Sequence, residues 1–381
     1  MLPTLYTDRG GNGGFANACA CSLDGTSLFA ANSFGQVFYS RDSGATFNQT
    51  QIGVNYQFQC IACSSNGNIV IVGEKNSSGG RVFISTNGAS SFSQVTTFPS
   101  FSATPNWWSL CCSDNGTSIT VSDYFGGYTY TSTNTGSTWT KSSVARTLYR
   151  VACNSDGTIV VGIQNPGYIH RSTNSGYTWT QLTSDASRYW WPISSSSDGS
   201  VLVAAAQNMD YIYLSKNSGA TWTAITSAGT SGGWTAAAMS SNGNRIVVND
   251  RSGYLWLSTN GGTTWTSFGT SNSGVYGMSC DSKCRLLFGT KFNYKFFTYT
   301  LMNIKAIGYT ALYNSATVDL TKIFDNTNPG NQTTGFLTSA TGYTASTDLG
   351  KIFTPYANGT KITVGYKTGA GTDLGELFQL I

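Results

Sequence analysis

Short apolar runs alternate with polar turns along the first 300 residues. Apolar runs such as Ile69–Val72 and Ile159–Val161 follow closely after an Asn-Gly or Asp-Gly pair. A second apolar run then leads into a turn rich in Ser, Asn, Gly and Thr, as at Val82–Ile84. Short apolar runs bounded by such residues are typical of β-strands, and Asn-Gly or Asp-Gly between two runs indicates a hairpin. The pattern therefore predicts an all-β chain of short antiparallel strands.

Two motifs repeat in register through this region. The first, of the form Cys-x-x-Asp/Asn-Gly, begins at Cys21, Cys63, Cys112, Cys153, Ser195 and Met239, with a degenerate seventh copy at Cys280. The second, Ser-x-Asp/Asn-x-Gly-x-Thr-Trp/Phe, begins at Ser40, Ser85, Ser132, Ser172, Ser215 and Ser258, so its copies lie 40 to 47 residues apart. That spacing is typical of the four-stranded blades of a propeller, which repeat about every 40–50 residues.

The second motif resembles the Asp-box, or BNR repeat, of sialidase-like β-propellers and of the photosystem II assembly factor type. In such a box the third side chain binds backbone amides, glycine adopts a positive φ, and the aromatic ring packs between sheets. The structural Asp-box positions here are Asp42, Asn87, Asn134, Asn174, Asn217 and Asn260. The second copy departs from the pattern because Ala89 replaces the glycine.

The repeats predict a seven-bladed propeller over residues 1–300. The first motif has seven copies, whereas the box has six. Because each box leads into a fourth strand, the seventh blade lacks a fourth strand of its own. We expect the N-terminal segment Pro3–Thr7 to supply that strand, which closes the ring and leaves no free sheet edge. In this topology the Asp-Gly turns and the boxes share one rim, named here the turn rim. The remaining connections form the opposite rim, named the loop rim.

Residues 301–381 carry a different repeat and are predicted to form a separate module. Three segments, Val318–Phe324, Thr347–Phe353 and Thr372–Phe378, share an Asp-Leu-x-x-Ile/Leu-Phe pattern. Each could form one helical turn capped by its Asp, too small to bury its own apolar face. These units resemble short tandem repeats in virion proteins of large DNA viruses of algae and protists. The resemblance implies an anchoring or assembly module.

Composition excludes several classes of protein. Charged residues make up 10% of the chain and aromatic residues 13%, and the net charge of +4 comes without a Lys/Arg cluster. We therefore expect no nucleic-acid partner. No apolar run approaches the roughly 18 residues of a membrane span. The N-terminus has no secretory-signal pattern, so we expect a virion protein assembled in the host cytoplasm, or otherwise a cytoplasmic one.

The nine cysteines are predicted to be reduced thiols, most of them buried. Their odd number argues against a disulfide framework. Five of them share the start of the first motif, at the end of an innermost strand, and equivalent positions on neighbouring blades should be too distant to bridge. Cys60-x-x-Cys63 is half of a zinc-site pattern without a second pair, and His170 is the single histidine. The sequence therefore predicts no metal and no cofactor.

Candidate ligand-binding residues cluster on the loop rim. The connections into innermost strands end in aromatic residues, of which the candidates are Trp107, Trp108, Tyr189, Trp190, Trp191, Trp234 and Tyr276. The connections after the second strands begin with the carboxylates Glu74, Asp123 and Asp250. Aromatic faces beside carboxylates suit either a protein partner or a sugar. Because adjacent strand residues point to opposite faces, one member of each tryptophan pair should be less buried.

The leading interpretation is a non-enzymatic structural or recognition protein of a virion surface or capsid. Its propeller would bind a protein partner, and its C-terminal repeats would attach it to other virion proteins. A glycan-binding propeller for host attachment is the alternative. A glycoside hydrolase is a third possibility, because Glu74 and Asp123 occupy similar positions in adjacent blades and such enzymes use two facing carboxylates. Sialidase chemistry would need an arginine triad and a Tyr/Glu pair, which have no match here.

Overall fold

The structure is a computed structural model. It describes residues 4–8, 16–99, 104–182, 187–208, 211–228, 233–268, 275–291 and 296–301, together with two short strands near the C-terminus. Within these residues no helix has the length and apolar character needed to cross a membrane. The chain divides into two units, Met1–Met302 and Asn303–Ile381.

The first unit contains seven four-stranded antiparallel sheets, which are the blades of a propeller. Blade 1 consists of β2 (Ala16–Cys21), β3 (Leu28–Asn32), β4 (Gln36–Ser40) and β5 (Asn48–Gln51). Blade 2 consists of β6 (Phe58–Cys63), β7 (Val70–Glu74), β8 (Val82–Ser85) and β9 (Ser93–Gln94). Blade 3 consists of β10 (Trp107–Cys112), β11 (Ile119–Asp123), β12 (Thr129–Ser132) and β13 (Thr140–Lys141).

The remaining blades repeat this order. Blade 4 consists of β14 (Arg150–Cys153), β15 (Val160–Ile163), β16 (Ile169–Ser172) and β17 (Thr180–Gln181). Blade 5 consists of β18 (Trp190–Ser195), β19 (Leu202–Ala206), β20 (Ile212–Ser215) and β21 (Thr223–Ile225), followed by the short 3₁₀ helix Thr226–Ala228. Blade 6 consists of β22 (Trp234–Met239), β23 (Ile246–Asp250), β24 (Leu255–Ser258) and β25 (Thr266–Phe268).

The seventh blade is built from both ends of the propeller sequence. Its strands β26 (Val275–Cys280), β27 (Leu286–Lys291) and β28 (Phe296–Leu301) are completed by β1 (Thr4–Asp8), which pairs antiparallel with β28. The predicted closure by an N-terminal strand is therefore confirmed. It leaves β28 paired on both sides.

A ring of backbone hydrogen bonds joins all seven blades at the turn rim. Each bond runs from the amide of one turn to the carbonyl of the equivalent residue in the next blade. The participating residues are Leu23, Ser65, Asp114, Ser155, Ser197, Ser241 and Ser282, whose amide returns to Leu23, with N···O distances of 2.7–2.9 Å. Because backbone groups make these bonds, they tolerate changes of side chain. Each of the seven blades thus contributes one residue to a closed ring.

The first motif forms a tight turn between the innermost and second strands. In blade 1, Ser22 Oγ accepts a hydrogen bond from Ser27 N (2.9 Å) and Asp24 Oδ1 accepts one from Thr26 N (2.9 Å). Gly25 has a φ of 78°, which glycine adopts without a steric penalty. In the degenerate seventh copy Cys284 takes this position with a φ of 47°. The side-chain oxygens of Ser22 and Asp24 thus accept hydrogen bonds from backbone amides of the turn.

The second motif forms the hairpin between the third and outermost strands. In blade 4, Asn174 Oδ1 accepts a hydrogen bond from Thr178 N (2.9 Å), and Ser172 Oγ accepts one from Gly176 N (2.8 Å). The ring of Trp179 folds back and donates through Nε1 to Gly176 O (2.9 Å). The equivalent side chains Asp42, Asn87, Asn134, Asn217 and Asn260 accept the same amide bond at 2.8–3.0 Å. In blade 2 the buried Ala89 adopts a φ of 72° where the other boxes have glycine.

The core lies between neighbouring blades, because the second strand of each sheet is buried on both faces. Every residue of β7, β11, β19 and β23 is buried. Strands buried on both faces read as continuous apolar runs. For this reason the segments that form the second strands do not show the alternation of apolar and polar residues that a strand with one exposed face would have.

The second unit is described only at two short parallel strands, β29 (Leu337–Thr338) and β30 (Tyr366–Lys367). The three Asp-Leu segments of the predicted C-terminal module lie outside the described residues. The expectation of one helical turn per repeat therefore stays a prediction.

Candidate functional site

Exposed apolar side chains concentrate on the loop rim. Of the eight large apolar side chains exposed in the described ranges, seven belong to this rim: Phe34, Val54, Phe125, Val144, Tyr189, Tyr254 and Tyr276. The eighth, Tyr177, lies in a box of the turn rim. Their concentration on one rim makes that rim the candidate interaction surface. The predicted residues Tyr189 and Tyr276 are 49% and 38% exposed, so a ligand can reach both.

Four aromatic rings form a connected cluster on this rim, named here the aromatic cluster: Trp108, Tyr124, Tyr149 and Trp191. The Tyr149 ring centroid lies 5.0 Å from that of Trp108 and 4.9 Å from that of Trp191. Trp108 also packs against Tyr124 at 5.0 Å. Burial raises the pKa of Tyr149, the nearby Arg150 opposes this shift, and the hydroxyls of Tyr124 and Tyr276 add to it. Three successive blades thus contribute rings to one surface.

A β-bulge aims Trp108 at this surface. The register of β10 against β11 shifts between Trp107 and Ser109, which leaves Trp108 as the extra residue. The same shift occurs at Tyr276 in β26 and at Thr235 in β22. A bulge re-aims a side chain without ending the strand. The second residue of these innermost strands therefore turns toward the loop rim rather than into the core.

Two cations lie against the aromatic cluster. Lys75 Nζ is 4.3 Å from the centroid of the Trp108 ring. The Arg150 guanidinium carbon lies 5.6 Å from the Tyr149 ring and 5.8 Å from the Trp191 ring, and Nη1 donates to Trp108 O at 3.4 Å. Burial lowers the pKa of Arg150. Among the described residues the one ion pair joins Arg81 to Glu74, so Arg150 has no carboxylate partner within that part of the chain.

The first tryptophan of each of the two predicted pairs is structural, and so is the single Trp234. Trp107, Trp190 and Trp234 are at most 1% exposed and pack against the preceding blade. Trp107 Nε1 donates to Gly80 O (2.9 Å) and Trp190 Nε1 to Gly167 O (3.1 Å), both across the blade interface. These three residues were predicted as ligand contacts, and the structure corrects that placement because solvent does not reach their rings. Trp108 and Trp191 remain partly exposed, as predicted for one ring of each pair.

The three predicted carboxylates are buried and hydrogen-bonded within their own blades. Glu74 pairs with Arg81 Nη1 at 3.1 Å and accepts from Asn76 Nδ2 at 3.3 Å. Asp250 accepts from Tyr254 N and from Trp256 Nε1, both at 3.0 Å. Asp123 accepts from Asn106 N (2.9 Å), and burial raises its pKa. All three organise the loops that bear the exposed rings, and at most 6% of each is exposed.

The single histidine lies in the core. His170 is fully buried, its Nε2 is 2.9 Å from Gln164 Oε1, and Nδ1 has no hydrogen-bond partner. Burial and the nearby Arg146 lower its pKa to about 4. A neutral histidine without access to solvent is a packing residue.

The innermost strands enclose a central channel of about 280 Å³ whose walls carry many sulfur atoms. Seven cysteine residues line it, namely Cys19, Cys21, Cys63, Cys111, Cys112, Cys153 and Cys280, together with Met239 and Met278. All nine cysteines of the chain are free thiols. Within the described ranges no three His, Cys, Asp or Glu side chains are arranged to hold a metal ion.

Comparison with known proteins establishes the architecture. No family model and no curated protein matches this sequence. Among solved structures, the fold is similar to one described as YCF48 bound to D1 peptide, with a TM-score of 0.61 and 16% sequence identity. The match covers 79% of this chain and 97% of that chain. The fold is a seven-bladed β-propeller. At this identity the similarity establishes the fold alone.

Sequence reasoning missed one ring of the aromatic cluster, Tyr124, and two residues beside the cluster. Tyr124, Lys75 and the exposed Phe125 were not singled out, whereas Tyr149 is 9% exposed, as expected of a ring that seals the core. Lys75 follows the candidate Glu74, and Tyr124 and Phe125 follow the candidate Asp123. The available signal was position: Tyr149 occupies the same repeat position as Trp108 and Trp191 and, like them, directly follows a buried residue, here Leu148.

Proposed function

We propose that this protein is a non-enzymatic recognition protein whose propeller binds a segment of a partner protein across the loop rim. The observation that carries the proposal is the aromatic cluster with Lys75 and Arg150 packed against it. Tyrosine, tryptophan and arginine are the residues most enriched at the energetic centres of protein interfaces. Rings held in place by their neighbours lose little conformational freedom on binding, which favours affinity.

The chemistry of the rim favours an acidic, apolar segment. Lys75 and Arg150 bring positive charge to the cluster, and Arg150 has no described carboxylate to offset it. Exposed rings such as Phe125 and Tyr276 offer apolar area around these cations. The similar fold described as YCF48 bound to D1 peptide supports a peptide as the ligand class, as an analogy between folds.

A non-catalytic role is supported by the state of the titratable groups. Glu74 and Asp250 use their oxygens on neighbouring donors, and His170 is buried without a route to substrate. A hydrolase would need two facing carboxylates, one of them free to take or give a proton. Two further carboxylates outside the tight turns, Asp185 and Asp210, lie outside the described residues.

We propose further that the chain is a virion component and that residues 301–381 attach the propeller to other virion proteins. Support comes from the three Asp-Leu repeats, each too small to bury its apolar face without a neighbour. Mass spectrometry of purified particles of the source virus should find the intact chain at a stoichiometric level. Absence from such particles would refute this part of the proposal.

Peptide-library selection tests the recognition function directly. The full-length protein, immobilised by a terminal tag, should enrich peptides that combine acidic and aromatic residues. Trp191→Ala should weaken a selected peptide by about 30-fold, since truncating a central interface residue costs ≥ ~2 kcal/mol. Fluorescence anisotropy of a labelled peptide measures the change.

Tyr177→Ala is the control, because Tyr177 is an exposed ring on the opposite, turn rim. It should leave the peptide affinity unchanged. Equal losses from Trp191→Ala and Tyr177→Ala, or selection of no peptide, would contradict a loop-rim site. A glycan array run with the same variants examines the alternative ligand: partly exposed rings such as Tyr189 could stack a sugar, and glycan binding lost in Trp191→Ala would replace the peptide proposal.

A further inference from the structure

Arg150 differs from its equivalents in every other blade. It lies on the innermost strand, three residues before the start of the first motif. The next blade approaches closely at this position, since a Cβ on Gly277 of blade 7 would lie 3.1 Å from Cα of Ala18 in blade 1. The side chains that the other blades carry here are all small and uncharged: Ala18, Cys60, Ser109, Pro192, Ala236 and Gly277. The propeller fold therefore does not require an arginine at this position.

The charge of Arg150 is not compensated within the described part of the chain. Its one side-chain hydrogen bond there runs from Nη1 to Trp108 O, at the long distance of 3.4 Å. The guanidinium carbon lies 5.6 Å from the centroid of the Tyr149 ring and 5.8 Å from that of Trp191, and no described carboxylate forms an ion pair with it. Arg150 is partly buried, and burial of an unpaired charge costs free energy. A cation that costs stability and that the fold does not require indicates a site for an anionic group of a ligand.

We propose that Arg150 binds a carboxylate of the partner segment, while the rings of Tyr149 and Trp191 hold the guanidinium in position. This inference rests on the peptide-binding function proposed above and names the group that is recognised. A planar guanidinium suits a carboxylate because two of its N–H groups can donate to the two oxygens. Lys75 Nζ, which is 4.3 Å from the centroid of the Trp108 ring, adds a second positive charge to the same cluster. The partner segment is therefore expected to place an acidic group next to apolar or aromatic ones.

A pair of small molecules tests this contact without a selected peptide. Phenylacetate carries a ring and a carboxylate, and phenylacetamide is a neutral molecule of nearly the same shape. In ligand-observed NMR titrations of the full-length protein, phenylacetate should bind at least about 10-fold more tightly, because hydrogen bonds between charged groups are the stronger kind. Arg150→Ser, which introduces the residue type that blade 3 has at this position, should remove the preference. Equal binding of the two molecules to the wild type would overturn the proposal.

Arg251→Ser is the matched control, because it removes the same charge from an exposed position of the loop rim. It should keep the preference for phenylacetate, and equal losses in the two variants would show a general effect of rim charge instead of a site. Arg150→Ser should also melt no lower than the wild type, since the variant loses an uncompensated cation. A melting temperature well below that of the wild type would assign Arg150 a structural role and overturn the proposal.

Peptide variants identify the source of the carboxylate. In a peptide selected on the full-length protein, each Asp or Glu is replaced in turn by Asn or Gln, and a further peptide has an amidated C-terminus. One of these changes should weaken binding to the wild type by about 10-fold or more and have little effect on binding to Arg150→Ser, as expected when the two groups contact each other. A peptide that is weakened by Trp191→Ala but tolerates all of these changes would overturn the carboxylate contact and leave loop-rim recognition intact.

Discussion

A single buried histidine interrupts a run of aromatic residues at one repeat position. Two residues before each box the other blades carry Phe38, Phe83, Tyr130, Tyr213 and Trp256, whereas blade 4 carries His170. His170 keeps this interblade position by remaining neutral, with Nε2 near Gln164 Oε1 and Arg146 close by. The substitution therefore introduces a group whose protonation opposes folding.

Acid should destabilise the propeller through His170 before most carboxylates titrate. Its pKa is about 4 in the folded chain and about 6.5 when unfolded, so the unfolded state binds more protons between these values. The free energy of unfolding should fall by about 3 kcal/mol as pH drops from 6.5 toward 4. Urea unfolding at several pH values measures this slope.

His170→Phe should flatten that slope, whatever it does to stability at pH 7. The carboxylates are common to both chains and cancel in the comparison, including Asp42, whose pKa is held near 2 by hydrogen bonds from Thr46 and Ser40. An identical slope in the variant would show that another group controls acid unfolding.

The sequence predicted that aromatic residues lie on the loop rim, but it did not predict which individual rings are exposed there. Trp107 and Trp108 are adjacent and chemically identical, so composition could not tell the core ring from the exposed one. The distinction comes from the β-bulge that re-aims Trp108, and a bulge depends on pairing with β11. The packing of Arg150 against Tyr149 and Trp191 could not be predicted from the sequence, because it arises only where blades 4 and 5 meet.

At the scale of the element, the repeated motifs were enough to predict the fold. Each turn is specified locally: Asn174 and Ser172 satisfy the amides of their own hairpin, so the motif predicts the turn without reference to distant residues. The imbalance between seven first motifs and six boxes was enough to predict β1. The ring of amide bonds through Leu23 and Ser282 was not predictable, because backbone groups leave no pattern in the side chains.

Removing β1 should open the propeller at blade 7. β1 pairs with β28 over five residues, and its loss would leave β28 as an exposed edge, which invites aggregation. Deletion of residues 1–8 should lower the melting temperature by about 5 °C or more, since ~1 kcal/mol corresponds to ~2–4 °C in a domain approaching this size. Differential scanning fluorimetry measures the change.

A synthetic peptide of residues 1–8 provides the control for this deletion. Added in excess, it should restore part of the lost melting temperature, because a binder of the folded state stabilises by mass action. A deleted chain that melts like the intact one would show that the amide ring alone closes the molecule.

At the scale of the whole molecule, the propeller is complete before the C-terminal repeats begin. Its last strand, β28, ends at Leu301, and its closing strand comes from the N-terminus. Every blade therefore draws its four strands from residues 4–301. The two units of the chain, Met1–Met302 and Asn303–Ile381, then have separable roles if the first recognises a partner and the second attaches to a particle.

A fragment of residues 1–302 should fold and bind like the intact protein. It retains the ring of amide bonds, β1 and the aromatic cluster, so we expect a melting temperature within about 3 °C of the full chain and the same affinity for a selected peptide. A fragment ending at residue 274 is the control, because it lacks β26–β28 and cannot close the ring. A 1–302 fragment that melts far below the full chain would show that the repeats stabilise the propeller, and the division of roles would then fail.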